Sequence, residues 1–227
     1  LDVAQARDAP SAYTLGFLLG PRINASGRIG EPDLGVRLLT CDDPIEARVM
    51  AERLDAVNRR RQEVEAEVLG SAFAEAERQA ALGQPVLLIV GEGWHPGVVG
   101  IVAGRVKERF NRPACVAGLQ DGLAKGSGRS VPGVDLGAAI IAARQMGLLE
   151  TGGGHAMAAG FSFRPERQAE VQAFLAERLS HAADLPGAAD LLLDASLMVP
   201  AATPELAEQV ARLGPFGAGN DEPVFVL

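Results

Sequence analysis

The segment Thr151-Gly152-Gly153-Gly154-His155-Ala156-Met157-Ala158-Ala159-Gly160-Phe161 is the most informative part of the sequence. Its three consecutive glycines can take positive φ and carry no side chain over their amides. Successive bare N–H groups in such a turn form a concave anion site, and His155 adds a titratable ring at its rim. We therefore predict an anion-binding glycine loop that leads into a tightly packed strand. The alternative is a glycine-rich turn beside a core histidine.

The composition is that of a globular chain. Its 227 residues are 48% hydrophobic, 22% charged and 4% aromatic, enough for one good core and part of a second. No apolar run approaches the roughly 20 residues of a membrane span, and no basic and apolar leader opens the chain. Cys41 and Cys115 lack metal-type spacing, so we expect two free thiols in a cytoplasmic protein.

The charge balance speaks against a protein that coats nucleic acid non-specifically, since the formal net charge is −8. A local basic groove remains compatible with it. Only two of the 21 basic residues are lysines. Several cations lie near glycine-rich segments, namely Arg22, Arg28, Arg105, Lys125 and Arg129.

A long helix is predicted from Asp43 onward. Asp43 suits the N-cap, Pro44 the first helical position and Glu46 the acidic position of a capping box. An apolar rhythm follows, carried by Met50, Leu54, Val57, Val64 and Val68. A helix that ends before Pro85 would be on the order of 55–60 Å long, so we expect a strut between domains.

The remaining elements indicate an α/β fold. An apolar run of buried-strand type covers 86–90, and further strands are expected at 114–118, 123–125 and after the triple glycine. Helices are predicted at 98–110, 135–146 and 165–181, and a linker at 184–187. Beyond the linker we expect a strand at 190–194, a helix from Thr203 and a strand at 224–227.

Three segments are predicted to be glycine-rich loops that carry cations: residues 20–30, 126–130 and 152–155. A fourth segment, 93–97, places Trp94 and His95 at a helix start, where the helix dipole favours anions. A guanidinium suits phosphate oxygens in bidentate geometry, so the set favours an anionic substrate. The alternative for residues 20–30 is that Asn and Ser serve the loop's own turns while Arg faces solvent.

A metal mechanism is harder to build from these residues. The three histidines are His95, His155 and His181, and no Asp/His cluster has the spacing of a two-metal site. Asp43 is explained as a helix cap and Asp121 as a turn residue. The sequence therefore indicates phosphate recognition without metal ligands.

Five blocks of sequence, taken together and in order, resemble the bacterial RecJ exonucleases of the DHH phosphoesterase superfamily. They are N-A-S-G-R (24–28), W-H-P-G-V-V-G-I-V-A-G-R (94–105), G-S-G-R-S (126–130), G-G-G-H-A-M-A-A-G-F (152–161), and L-G-P-F-G-A-G-N with E-P-V-F (213–220 and 222–225). The resemblance covers nearly the whole chain. A lone G-G-G-H would indicate only the wider superfamily.

The resemblance implies a single-strand-specific DNA exonuclease that works 5′ to 3′ with Mn²⁺ or Mg²⁺ in DNA repair and recombination. In that family a DHH domain holds the metals, and this chain contains no Asp-His-His. We therefore expect a fragment that is inactive alone and binds no metal through its own residues. The expected parts are the tail of the DHH domain (1–42), a long interdomain helix (43–84), a DHH-associated substrate-binding domain with a mixed sheet (85–183), and a linker with the beginning of an oligonucleotide-binding barrel (184–227).

Carried over motif by motif, the resemblance implies that Arg28, Ser127 and Arg129 bind backbone phosphates. It implies that Gly153, Gly154 and His155 form a phosphate loop facing the metal centre, with His155 catalytic. His95 either contacts the substrate or only orders the turn at 94–97. Trp94 either stacks on a base or packs. Implied partners are single-stranded DNA, the missing DHH domain, and a single-strand-binding protein or helicase.

Two other functions remain open. One is a DHH-superfamily phosphoesterase for short oligonucleotides or cyclic dinucleotides, against which the W-H-P-G block and the barrel-like end argue. The other is a non-catalytic nucleic-acid-binding module. An upstream coding region with Asp-His-His would exclude this last alternative.

Overall fold

A computed structural model of the chain describes residues 1–6, 9–180, 182, 191, 193–217 and 219–227. The chain divides into two compact units. The smaller combines Leu1–Gly20 with Ala188–Leu227, and the larger is Pro21–Gly187. Among the described residues, no helix is both long and apolar enough to span a membrane.

The larger unit is built on a five-stranded mixed sheet in the order β1-β2-β3-β5-β4. The strands are β1 (Leu87–Glu92), β2 (Ala114–Gln120), β3 (Leu123–Arg129), β4 (Thr151–His155) and β5 (Ala158–Phe163). β1 and β2 are parallel, and the other pairs are antiparallel. The predicted α/β class with a mixed sheet flanked by helices is confirmed.

The helices are α1 (Gly20–Ile29), α2 (Leu34–Leu39), α3 (Pro44–Ala81), α4 (Pro96–Phe110), α5 (Leu136–Gln145) and α6 (Gln168–Arg178). α3 starts as predicted, because the Asp43 carboxylate accepts hydrogen bonds from the amides of Ile45 and Glu46 at 2.8 and 3.2 Å. Its 38 residues make it about 57 Å long.

The sheet separates two apolar cores. On one face, α4 and the C-terminal half of α3 bury Val68, Ala72 and Val102 against the strands. On the other face, α5 and α6 bury Ile140 and Phe163 among others. The N-terminal half of α3 packs on α2 through Leu34, Met50 and Leu54. The predicted strut therefore shares half of its length with the core of the sheet unit.

Two glutamines seal the outer edge of β1. The Gln79 amide accepts from the Leu88 N–H at 3.0 Å and donates to the Leu88 carbonyl at 2.8 Å, as a neighbouring strand would. From α6, Gln172 donates to the Val86 carbonyl at 3.0 Å. An edge strand with unpaired backbone groups invites unwanted pairing, so these side chains both protect the edge and fix α3 and α6 to it.

The smaller unit contains β6 (Ala195–Ser196), which pairs in parallel with β7 (Phe225–Val226), α7 (Pro204–Ala211), and a π-helical turn at Thr14–Leu19. α7 begins where predicted, with Thr203 accepting from the Leu206 amide at 3.3 Å. The strand expected at 190–194 starts instead at Ala195 in the described part. The predicted linker at 184–187 and His181 lie outside the described residues.

Candidate nucleic-acid interface

The three segments predicted as cation-bearing loops are regular elements instead. Residues 20–29 form α1, 126–129 continue β3, and 151–155 form β4. The loop prediction was wrong because it took glycine as a turn signal. In β3 the glycines serve packing, since a Cβ on Gly126 would lie 2.5 Å from the Phe161 ring and one on Gly128 2.6 Å from Leu136.

The triple glycine does not form a concave nest of amides. It is an extended edge strand that pairs antiparallel with β5. A Cβ on Gly154 would lie 2.3 Å from the Ala158 carbonyl oxygen, and one on Gly152 3.0 Å from Ile140. A Cβ on Gly137 of α5 would lie 2.7 Å from the His155 backbone. These glycines let β4 approach its neighbours closely, whereas Gly153 borders open space.

Strand register brings the two glycine-rich motifs together. Arg129 pairs with Ala158, which pairs with His155, and Ser127 pairs with Gly160, which pairs with Gly153. Directly opposed residues project from the same face of a sheet. The predicted residues Ser127, Arg129, Gly153 and His155 therefore share one face of the sheet, and α4 packs on the β2 and β3 part of that face. The Arg129 and His155 backbones lie two strands apart, about 9–10 Å.

Arg129 lies between β3 and α4. Its Nη1 donates to Ser127 Oγ and to the Gly128 carbonyl, both at 2.8 Å. A Cβ on Gly100 would lie 3.2 Å from Arg129 Nη2 and from Ser127 Oγ. The absence of a side chain at Gly100 thus leaves room for the guanidinium against the helix.

Arg129 does not pair with Asp135, an acid six residues further along the chain. Asp135 instead caps α5, accepting from the Ala138 amide at 2.9 Å. Within the described part of the chain, no carboxylate lies at ion-pair distance from Arg129. The guanidinium therefore keeps donors available for an external anion.

Arg28 contacts α4 one turn earlier. Its Nη1 donates to the Gly97 carbonyl at 3.2 Å, and a Cβ on Gly97 would lie 2.2 Å from the Arg28 carbonyl oxygen. Gly97 and Gly100 are neighbours on one helix face. Arg28 is exposed and, like Arg129, has no carboxylate partner among the described residues. Two guanidinium groups that have no carboxylate partner in the described part of the chain therefore lie beside the first turns of α4.

His95 orders the turn that starts α4. Its Nδ1 accepts from the Gly97 amide at 3.0 Å, which requires the proton of a neutral ring to sit on Nε2. The structure thus shows the turn-ordering role, and a substrate contact through Nε2 stays a prediction. Trp94 packs against the core on the α4 side of the sheet. Its ring lies over Gly91, where a Cβ would be 2.1 Å away.

A groove of about 390 Å³ runs between α4 and the strands. Pro96, Val99, Ser127, Thr151 and Ser162 line it, together with Lys125, which is 4.0 Å from Asp121. The first turn of α4 presents the positive end of a 15-residue helix. Hydroxyl groups and a helix start therefore border the groove, and such groups can bind an anion. Arg28 and Arg129 do not line the groove itself but contact the first turns of the same helix.

The described residues contain no cluster of three His, Cys, Asp or Glu side chains that could hold a metal ion. Burial raises the pKa of the Cys115 thiol to about 12, so Cys115 is not a thiolate nucleophile. Sequence reasoning missed Gly97 and Gly100. Gly97 makes room for the Arg28 backbone, and Gly100 makes room for the side chains of Arg129 and Ser127. Nothing in their spacing within the motif predicts these contacts, because the contacts depend on the packing of segments that are distant in sequence.

Comparison with known families matches two parts of the chain to family models. Residues 83–181 match the family model described as the DHHA1 domain, and residues 193–227 match the RecJ OB domain. The DHHA1 match contains the whole five-stranded sheet and Arg129, whereas Arg28 lies outside it. The match at 193–227 confirms the predicted start of an oligonucleotide-binding barrel.

The chain belongs to the RecJ family. It is 40% identical over 230 residues to the single-stranded-DNA-specific exonuclease RecJ of Dickeya dadantii, covering 96% of this chain and 40% of that protein. The crystal structure of Thermus thermophilus RecJ with Mg²⁺ superposes with a TM-score of 0.84 at 32% identity, over 98% of this chain and 34% of that one. The same protein with Mn²⁺ also gives a TM-score of 0.84, at 32% identity over 98% of this chain and 33% of that one. The chain thus spans about 40% of the length of this relative.

Proposed function

We propose that this chain is the substrate-binding part of a 5′-to-3′ single-stranded-DNA-specific exonuclease that acts in bacterial DNA repair and recombination, in the cytoplasm. The observation that carries the proposal is the pair Arg28 and Arg129. They come from separate elements, contact successive turns of α4 and are without carboxylate partners in the described structure. Phosphates of a nucleic-acid backbone satisfy such donors.

The role proposed for each residue follows from the sheet face or helix on which it lies. Arg28, Arg129 and Ser127 bind backbone phosphates, and Gly153 leaves the sheet surface open to the strand. His155, exposed at the end of β4, reaches the scissile phosphate at the metal centre of the whole enzyme. Gly154 does not contact the substrate. It lets β4 approach Ala158 of β5 closely and so positions the strand. His95 holds the first turn of α4, and its Nε2–H is free to donate to the substrate.

The metal chemistry is assigned to the rest of the enzyme. The RecJ structures of Thermus thermophilus contain Mg²⁺ or Mn²⁺, and we infer that one of these ions activates water in this protein too. The ligands are expected in a DHH domain outside these residues. The proposed parts are 1–42, 43–84, 85–183 and 184–227, as the motif resemblance implies.

A binding assay tests the proposal. Fluorescence anisotropy of a labelled oligothymidylate titrated with the chain should show saturable, salt-sensitive binding. Unlabelled single-stranded DNA should compete far better than a duplex or a cyclic dinucleotide. Equal competition by cyclic dinucleotide would favour the small-substrate phosphoesterase instead. Absence of binding at low salt would contradict the proposal.

A further inference from the structure

Two strand glycines have no structural reason to be glycine. The described sheet contains eight glycines, and at six of them a Cβ would lie 3.0 Å or less from a neighbouring atom. Gly153 and Gly160 are the exceptions, since a Cβ at either position would meet nothing within 4 Å. Neither has a positive φ. A strand glycine otherwise marks a place where a ligand or another backbone comes close.

These two glycines form one feature. Gly153 and Gly160 are register partners on adjacent strands, and Ser127 continues the same row. Their missing side chains therefore leave a bare strip on the face that carries Arg129 and His155. No helix covers the strip at Gly160, which is exposed.

The strip has raised borders. On one side, the hydroxyl groups of Thr151 and Ser162 lie 2.7 Å apart in a hydrogen bond. On the other side, the next row across the strands is Arg129, Ala158 and His155. Ser127 beside α4 closes the inner end, and the outer end opens at the edge strand β4. The result is a trough that crosses the strands with a floor of polypeptide backbone.

We propose that Gly160, together with Gly153, is a substrate-binding position: the trough seats the sugar–phosphate backbone of a single polynucleotide strand directly on the sheet. This rests on the proposed function. A methyl group on the floor would raise it by about 1.5 Å, the length of a C–C bond, and would hold the backbone away from Arg129 and Ser127. Glycine at both positions is explained by the ligand rather than by the fold.

The experiment compares four variants of the full 227-residue chain by anisotropy with a labelled oligothymidylate and by thermal melting. Gly160→Ala and Gly153→Ala test the trough. Gly104→Ala on α4, where a Cβ also meets nothing within 4 Å, is the matched control. Arg129→Ala reports on the proposed function independently.

We expect Gly160→Ala and Gly153→Ala to weaken binding on the order of tenfold, the effect of one misplaced methylene in a fitted site. Their melting temperatures should be unchanged or higher, because alanine restricts the unfolded chain. Gly104→Ala should bind as the parent does. If Gly160→Ala binds normally while Arg129→Ala does not, the trough is refuted and the proposed function stands. If both bind normally, the proposed function itself fails. An early-melting Gly160→Ala, or an equal loss in Gly104→Ala, would also overturn the inference.

Discussion

The role of Arg129 gives the sharpest prediction. Arg129→Ala removes a guanidinium that is held by Ser127 Oγ and the Gly128 carbonyl and has no carboxylate partner in the described residues. A charge-assisted hydrogen bond to phosphate contributes roughly 1–3 kcal/mol. The dissociation constant for single-stranded DNA should therefore rise roughly 5- to 150-fold. The loss should be similar for different base sequences, because phosphate contacts carry no sequence information.

The salt dependence makes the assay specific for phosphate. Loss of one phosphate contact should lower the slope of log K against log salt concentration by about one. Arg105→Ala is the matched control, since it also removes one positive charge from this unit. Arg105 is exposed and lies 3.6 Å from Glu108, so its removal should change affinity little.

Folding should be nearly unaffected by Arg129→Ala, because the side chain fills no apolar core. Denaturation by guanidinium chloride and by heat measures the stability of the same preparations that are used for binding. If the variant melts much earlier yet binds DNA with unchanged affinity once folded, Arg129 is a structural residue and the reasoning is refuted. An equal loss of affinity in Arg105→Ala would show only a general charge effect.

Four further predictions concern the fold, the site and the activity. Gln79→Leu should lower the free energy of unfolding by roughly 2 kcal/mol, because it leaves the Leu88 N–H and carbonyl without their hydrogen-bond partner. Denaturant titration measures this loss, with Gln62→Leu at an exposed position on the same helix as the control. Equal denaturation midpoints for the two variants would contradict the prediction. Gly97→Ala should destabilise by roughly 1–3 kcal/mol and weaken DNA binding, because a Cβ there would lie 2.2 Å from the Arg28 carbonyl; a variant with native melting and native affinity would disprove the contact. A thiol reagent at pH 8 should label Cys41 quickly and Cys115 only after unfolding, since burial raises the pKa of Cys115 to about 12 and keeps it protonated at that pH; two fast thiols in the native protein would contradict this burial. The chain alone should release no nucleotides from 5′-labelled single-stranded DNA with millimolar Mn²⁺, and turnover that copurifies with the chain would refute the assignment of the metal ligands to a missing domain.

Local rules were sufficient where the signal was local. The cap at Asp43, the proline at Pro44 and the apolar rhythm predicted α3 to its first residue, and the run at 86–90 predicted β1. Thr203 likewise predicted the start of α7. In each case a few neighbouring residues determine the hydrogen bonds that define the element.

The same rules failed at the glycine motifs, because glycine is required there by contacts with residues that are distant in sequence. Gly126 and Gly128 admit Phe161 and Leu136, and Gly137 admits the backbone of His155. No local pattern distinguishes such a glycine from one in a turn. The motifs were found, but their conformation and their meeting on one sheet face emerged only from the strand register.

The residues proposed to bind phosphate came from resemblance to a family, and the structure adds their arrangement. Ser127, Arg129, Gly153 and His155 share a face, and Arg28 reaches the same helix start from α1. The sequence could not predict this, because Arg28 and Gly97 are separated by 69 residues. A contact of that kind depends on how α1 and α4 pack.

The most direct test is a crystal structure of this chain bound to a short single-stranded oligonucleotide. The strand should lie across the start of α4 and the face of β3, β5 and β4, with phosphate oxygens within hydrogen-bond distance of the guanidinium groups of Arg28 and Arg129. Nucleotides bound only elsewhere on the chain, with both arginines facing solvent, would contradict the account.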